Sequence, residues 1–373
     1  MKSLYQRFFN SLPVRFVDTD TALQTLTADE LYLVRSTERS ALFMAAYIEL
    51  AVYLLAFLPV YRFPEFFDGH AVALGGPFTH LSQPFPWIRQ LWMFGVDLVE
   101  LYALLILNLA AVHGIAVATG YLQAGRKPVR TDGLIRIALA EKFRGERELG
   151  INPFDGLNHW LLYGYLLFNR AKGYVGAVAV RAGLAAVYGS DILDIFLDFS
   201  GLPIYVAINV YSTRVILRKA RVVIMGQASI EALRRSLPAI ALSPAERELV
   251  YDTLEFVAVS KGDYHINHYN LAQAVLGRYA IPVEASHPLT GNYLEKLRTS
   301  RPPVAELCRV IIVAGFVLDG SITGHECRQL EALRLQGILD ASDAELRRFC
   351  ENFVDGQGLA AIAERFIGTL QAH

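Results

Sequence analysis

Charge is scarce in this 373-residue chain: 19% of its residues are Asp, Glu, Lys or Arg, against 53% apolar. Soluble globular chains carry about a quarter charged residues, so an ordinary water-soluble fold along the whole length is excluded. The net charge of −1 offers no footing for nucleic acid or for a strongly charged partner. Cysteine is as sparse. Cys308, Cys327 and Cys350 are odd in number and lack CxxC or Cys/His spacing, which argues against a disulfide framework and a structural zinc. They read as reduced, buried, small apolar groups. The first 20 residues hold neither a continuous apolar stretch nor a small-residue cleavage site, so no cleavable signal peptide is expected. GxxxxGKS/T, GxGxxG after a strand, GxSxG and HExxH are all missing, as is a convincing nucleophile–base pair. No enzymatic activity is expected.

What the chain has instead is apolar length. Mean hydropathy is +0.32, with the excess between residues 40 and 225. The segment SALFMAAYIELAVYLLAFLPVY, residues 40–61, reaches about 33 Å as a helix, enough to cross a hydrocarbon core of about 30 Å. Further spans are expected at about 91–120, 173–197 and 201–217. Between the first two, prolines 64, 77, 84 and 86 rule out a regular helix. LNHWLLYGYLLF, residues 157–168, reaches only about 18 Å, which suits an interfacial helix. The expected fold class is all-α: a polytopic membrane helix bundle of about four transmembrane helices over 40–225, preceded by a cytoplasmic segment 1–39 and followed by a cytoplasmic α-helical domain over 240–373.

Orientation follows from the Lys/Arg bias of the loops. The 121–156 loop holds seven such residues, the first 40 residues five, and Arg218, Lys219 and Arg221 follow the fourth span; the 62–90 loop has two and the 191–200 turn none. All basic stretches share one side only with four spans and both termini in the cytoplasm, as in a multi-pass protein of the bacterial inner membrane. The basic amphipathic stretch 134–149 either serves as that determinant or lies on anionic lipid. The expected partners are the lipid bilayer, a cytoplasmic protein and a second copy of the chain.

Four charged residues fall inside the spans: Glu49, Asp97, Glu100 and Arg181. A charge at the bilayer centre costs about 2.5–3.5 kcal/mol on insertion scales, so these groups should face one another or water. Asp97, Glu100, Leu104 and Asn108 share one helical face at spacings of three and four. The simplest satisfied arrangement pairs Arg181 with Glu49 or Glu100. Two readings follow: an ion-pair cluster that sets helix register, or a proton- or cation-binding site in a transport path. His113 lies on the opposite face and reads as a hydrogen-bonded interfacial histidine; Asp191, Asp194 and Asp198 read as a solvated outer stripe.

The C-terminal region carries helix-start signals at Ser243–Glu246, Thr323–Glu326 and Ser342–Glu345, each a Ser or Thr followed three residues on by Glu; Thr27–Glu30 is another. The region also shows a duplication with an offset of 56: Val257, Ala258, Asp263, Ile266 and Asn270 recur as Val313, Ala314, Asp319, Ile322 and Glu326. Asp319, Gly320, Ile322 and Glu326 form a D-G-x-I-x-x-x-E pattern that resembles the signature of TerB-like, tellurite-resistance-type helical domains. That resemblance implies an all-helical cytoplasmic domain linked to stress response, in which the acids of some members bind a divalent metal; Asp319, Glu326 and Asp263 are the matching candidates. In the first copy Tyr264 replaces the glycine and Asn270 the glutamate. The competing role for Glu326 is capping its own helix. Asp263, His265 and His268 could offer an oxygen and two imidazoles, or the histidines could sit at a helix end. The membrane part resembles bacterial polytopic membrane proteins without an assigned activity. The expectation is a non-enzymatic membrane scaffold or sensor whose helical domain binds a partner or senses a stress or metal condition; the alternative is a proton- or cation-coupled transporter working through the intramembrane acids. No cofactor is expected beyond that divalent cation.

Overall fold

The computed structural model describes residues 2–13, 26–69, 86–122, 131–139, 149, 192–261, 265–283, 287, 289, 291–359, 362 and 365. Every element among them is helical: α1 (Lys2–Ser11), α2 (Ala28–Arg62), α3 (Pro64–Asp68), α4 (Trp87–Ala118), α5 (Thr131–Ala138), α6 (Ile192–Ser236), α7 (Pro244–Lys261), α8 (Ile266–Arg278), α9 (Tyr293–Thr299), α10 (Pro302–Val317), α11 (Gly324–Leu335) and α12 (Asp343–Asn352), the last followed by a wide turn, Phe353–Gln357. Two of them, α2 and α4, are long and apolar enough to cross a membrane.

Local chemistry sets the helix starts. Thr27 N–H donates to Glu30 Oε2 at 2.8 Å while Glu30 N–H donates to Thr27 Oγ1 at 3.3 Å, so α2 opens on the predicted capping box. Ser243 and Glu246 do the same for α7. Ser342 caps α12 through Glu345 N–H, but the Glu345 carboxylate pairs with Arg365 at 2.7 Å instead of returning to the cap. Pro64, expected to break helix, opens the short α3 at a first-turn position, where its missing N–H costs nothing.

One expectation about the spans fails. Residues 192–200, read as part of a turn between a third span ending near 197 and a fourth at 201–217, are helical and run unbroken to Ser236. Gly201 and Pro203 lie inside this helix; an interior proline removes a single ladder hydrogen bond, a loss that long flanking helix tolerates. The basic residues 218–221 end the apolar run without ending the helix. Residues 173–190 of the expected third span and the expected interfacial helix 157–168 lie outside the described residues.

The chain divides into two compact units, one of Met1–Leu12, Arg35–Gly114 and Val175–Leu217, the other of Pro13–Val34, Ile115–Tyr174 and Arg218–His373. The boundary falls within α2, α4 and α6. In the first unit, Trp92 Nε1 donates to Ala56 O at 3.1 Å and Phe9 of α1 meets His113 edge-on at 5.0 Å. Large apolar side chains stay outward, among them Phe43 (72% exposed) and Tyr211 (69%), as expected of helices that face lipid.

The second unit is built around α10, whose residues from Val310 to Val317 are all buried against α7. Both halves of the sequence duplication fold as a pair of helices, α7–α8 and α10–α11, with the first copy's link, 262–264, outside the described residues. The register drifts between the paired helices: α10 ends 56 residues after α7, whereas α11 begins 58 residues after α8. The N-cap residues are His265 and Thr323. Gly226 of α6 permits one close approach, since a Cβ there would sit 2.1–2.5 Å from the Asn267 carboxamide.

Candidate functional site

The turn after α10 is clamped from three helices of the second unit. Arg218 Nη2 donates to Gly320 O at 3.0 Å. Asn267 Nδ2 donates to Val222 O at 2.9 Å and Leu318 O at 2.7 Å. Gly320 holds φ at +73°, a left-handed conformation that glycine adopts without strain. The turn thereby brings Asp319 and Glu326, seven positions apart in sequence, to a common third group.

That group is Lys261, the last residue of α7. Its side chain is 1% exposed, and its Nζ donates to Asp319 Oδ2 at 2.8 Å, Glu326 Oε2 at 2.9 Å and Ser321 O at 3.0 Å. The ammonium also lies 5.5 Å from the Phe316 ring centroid. Glu326 keeps its capping role as well: its Oε2 accepts from Thr323 N–H at 3.2 Å, and its own N–H donates to Thr323 Oγ1 at 3.4 Å. The acids proposed as metal ligands therefore surround a tethered cation. Asp263, the third candidate, lies outside the described residues, and among those residues no group of three or more His, Cys, Asp or Glu is arranged to hold a metal.

The two histidines of the first copy cap α8. His265 accepts from Asn267 N–H through Nδ1 at 3.3 Å, and His268 Nδ1 accepts from His265 N–H at 3.3 Å. His268 Nε2 meets Gly315 O at 2.8 Å, which makes Nε2 the protonated nitrogen of a neutral ring. Burial lowers the His268 pKa to about 3, helped by the nearby Lys261 charge. Burial likewise lowers that of His265 to about 4, with the His268 and Lys261 charges acting in the same direction. Asp252, fully buried, pairs with His287 at 2.9 Å, and the His287 ring stacks on Tyr251. Burial pushes the thiols of Cys308 and Cys350 up to about 12; Cys327 is half-buried, 3.6 Å from Arg347 Nη2.

A second cluster forms in the first unit. Asn209 of α6 donates from Nδ2 to Glu49 Oε2 of α2 at 2.5 Å and to Glu100 Oε1 of α4 at 2.7 Å. Glu49 is 5% exposed. Asp97, on the same helix as Glu100, is exposed. Arg181 lies outside the described residues, so its expected pairing is not described. Asn108, two turns beyond Glu100, is buried, and its Oδ1 has no hydrogen-bond partner among the described residues.

Sequence reasoning brought Glu49 with Glu100 and Asp319 with Glu326, and missed the residue that joins each pair. Asn209 is uncharged and stands alone in an apolar run, so a search for charges passes over it. Lys261 corresponds to Val317 at the duplication offset, so comparing the two copies hides it. No protein-family model, curated protein or solved structure matches this chain.

Proposed function

We propose that the chain is an integral membrane scaffold or sensor without catalytic activity, whose second unit presents a helical surface to a cytoplasmic protein. The observation that carries this reading is how the compact units divide the chain. The basic stretches at 121–156 and 218–221 belong to one unit with Arg218–His373, while the apolar portions of α2 and α4 belong to the other. The chain leaves the second unit at Val34, returns at Ile115, leaves after Tyr174 and returns at Arg218. That alternation supports an even number of crossings, basic loops on one side, and both termini in the cytoplasm of a bacterial inner membrane. The D-G-x-I-x-x-x-E pattern supports a TerB-like assignment for 240–373 with a role in stress response. Closure of Lys261 on Asp319 and Glu326 favours partner binding over metal sensing there.

The test is a photo-crosslinking residue placed at Leu335, 83% exposed at the end of α11, in the full chain in intact cells. A single discrete adduct is expected. The absence of any adduct from Leu335 and from exposed Val283 would refute the scaffold reading. Calorimetric titration of the full chain with Ca²⁺, Mg²⁺ and Zn²⁺ addresses metal sensing, with no heat expected.

One observation favours a second reading, a proton- or cation-coupled transporter: Glu49 and Glu100 converge on Asn209 from three helices. Two carboxyl groups that close attract one proton or one small monovalent cation. Proteoliposomes carrying the full chain would then take up H⁺ or Na⁺, and Glu49→Gln or Glu100→Gln would abolish uptake; equal uptake by variants and unaltered chain rules this reading out.

A further inference from the structure

The second unit holds a cavity of about 210 Å³ that none of the roles above uses. Its polar lining comes from Tyr121, three residues past the end of α4, Gln227 of α6, and Asn270 and Gln273 of α8. Its apolar walls are Leu134 of α5, Val223 of α6 and Ile266 of α8. Helical spacing explains the convergence: Ile266, Asn270 and Gln273 stand at i, i+4 and i+7 on one face, and Val223 and Gln227 at i, i+4. At a liquid share of about 30 Å³ per water, the space equals roughly seven waters. That suits a small ring system and is below the range of drug-sized pockets.

The chemistry of the lining is specific. Among the described residues no carboxylate, ammonium, guanidinium or imidazole lines the cavity, and against that lining an ion would lose hydration without a counter-charge. Three carboxamides converge instead, and each presents a donor and an acceptor in one plane. Tyr121 O–H donates to Gln227 Oε1 at 2.7 Å, which fixes that amide and leaves its N–H groups for another acceptor. Among the described residues, Asn270 and Gln273 have no side-chain hydrogen-bond partner. Asn and Gln amides pair bidentately with an adjacent donor and acceptor on a base edge, as with N6 and N7 of adenine. Leu134, Val223 and Ile266 supply apolar surface for the faces of such a ring. A polyol would present hydroxyls to these walls and leave them unpaired.

We propose that this cavity binds a neutral planar heterocycle with a donor and an acceptor side by side on one edge, a nucleobase free or as part of a nucleoside. The test uses the full chain in lipid nanodiscs and equilibrium dialysis against labelled adenine, adenosine and AMP, with purine as the analogue lacking the exocyclic amine. Adenine is expected to bind saturably, one per chain. Purine should bind about 5- to 150-fold more weakly, the 1–3 kcal/mol of a bidentate base contact converted at 1.4 kcal/mol per tenfold. Asn270→Leu should weaken adenine binding by a similar factor. Gln273→Ala, at an exposed position of α8, does not threaten the fold and should weaken it at least fivefold. Adenosine matching or exceeding adenine marks a nucleoside ligand, and adenine alone marks a free base. No saturable binding to 1 mM, purine equal to adenine, an unchanged affinity in Gln273→Ala, or binding of AMP alone would each overturn the proposal.

Discussion

Replacing Lys261 with methionine removes one ammonium and keeps most of the apolar stem. The partners left behind are Asp319, whose side chain is 20% exposed, and Glu326, 4% exposed, together with the Ser321 carbonyl. Breaking a buried ion pair by deleting one partner costs about 3–5 kcal/mol, because the remaining charge stays desolvated and uncompensated. Here the exposure of Asp319 softens the penalty and the burial of Glu326 sustains it, so about 3 kcal/mol is the working figure. The turn 318–323 and α11 should therefore open locally about 100-fold more often, at 1.4 kcal/mol per tenfold. Hydrogen exchange read by mass spectrometry on the full chain in nanodiscs measures this directly, since local opening free energies set exchange protection. Adding Asp319→Asn and Glu326→Gln to the methionine variant removes the stranded charges and should restore at least half of the lost protection. A methionine variant within threefold of the parent would show that the ammonium does not hold the turn.

Three further outcomes follow from the same contacts. Gly226→Ala drives a methyl into the Asn267 amide and should cost about 2–3 kcal/mol by overpacking; made in an Asn267→Ala background it should cost under about 1 kcal/mol, and equal costs in both backgrounds, read by exchange protection of α8, would refute the clash. His265 and His268 have folded pKa values of about 4 and about 3, below an unfolded value of about 6.5, so the unfolded state takes up protons first as pH falls. Stability is thus full above about pH 6.5 and declines below it by about 1.4 kcal/mol per pH unit for buried His268, less for half-buried His265; a flat exchange profile for α8 from pH 7 to 5 contradicts this, as does an unaltered slope in His268→Gln. Asn209→Leu strands two carboxyl groups and should lower detergent-solubilised thermal stability by about 1–3 kcal/mol, whereas Asn209→Asp adds a third acid and should lower it further; a melting temperature equal to the parent's in both would show that the amide does not join the helices.

Helix starts were the most legible part of the fold, because a capping box is written in four consecutive residues and closes on itself at Thr27, Ser243 and Thr323. Apolar length located α2 and α4 for the same local reason. The end of α6 was not legible. Gly201, Pro203 and the basic run at 218–221 all signal boundaries in isolation, and tertiary contacts of Arg218 and Asn267 extend the helix past them. The candidate sites were half legible. Acids stand out in an apolar or repeated sequence, while the partner that completes each cluster comes from a helix distant in sequence: 160 residues separate Glu49 from Asn209 and 58 separate Lys261 from Asp319.

The two clusters differ in how donors and acceptors balance, and that difference assigns their roles. An ammonium has three N–H donors, and Lys261 spends them on three acceptors, Asp319 Oδ2, Ser321 O and Glu326 Oε2. A second cation would have to displace a group covalently tied to α7, so this cluster holds structure together. A carboxamide has two N–H donors, and Asn209 aims both at carboxyl groups that together present four oxygens. Among the described residues, acceptor capacity is left over between Glu49 and Glu100, and in apolar surroundings leaving it unmet is costly. Under the proposed transport reading a proton or a small cation would meet that surplus, which is why the transport assays belong on these two glutamates and the stability assays on the lysine.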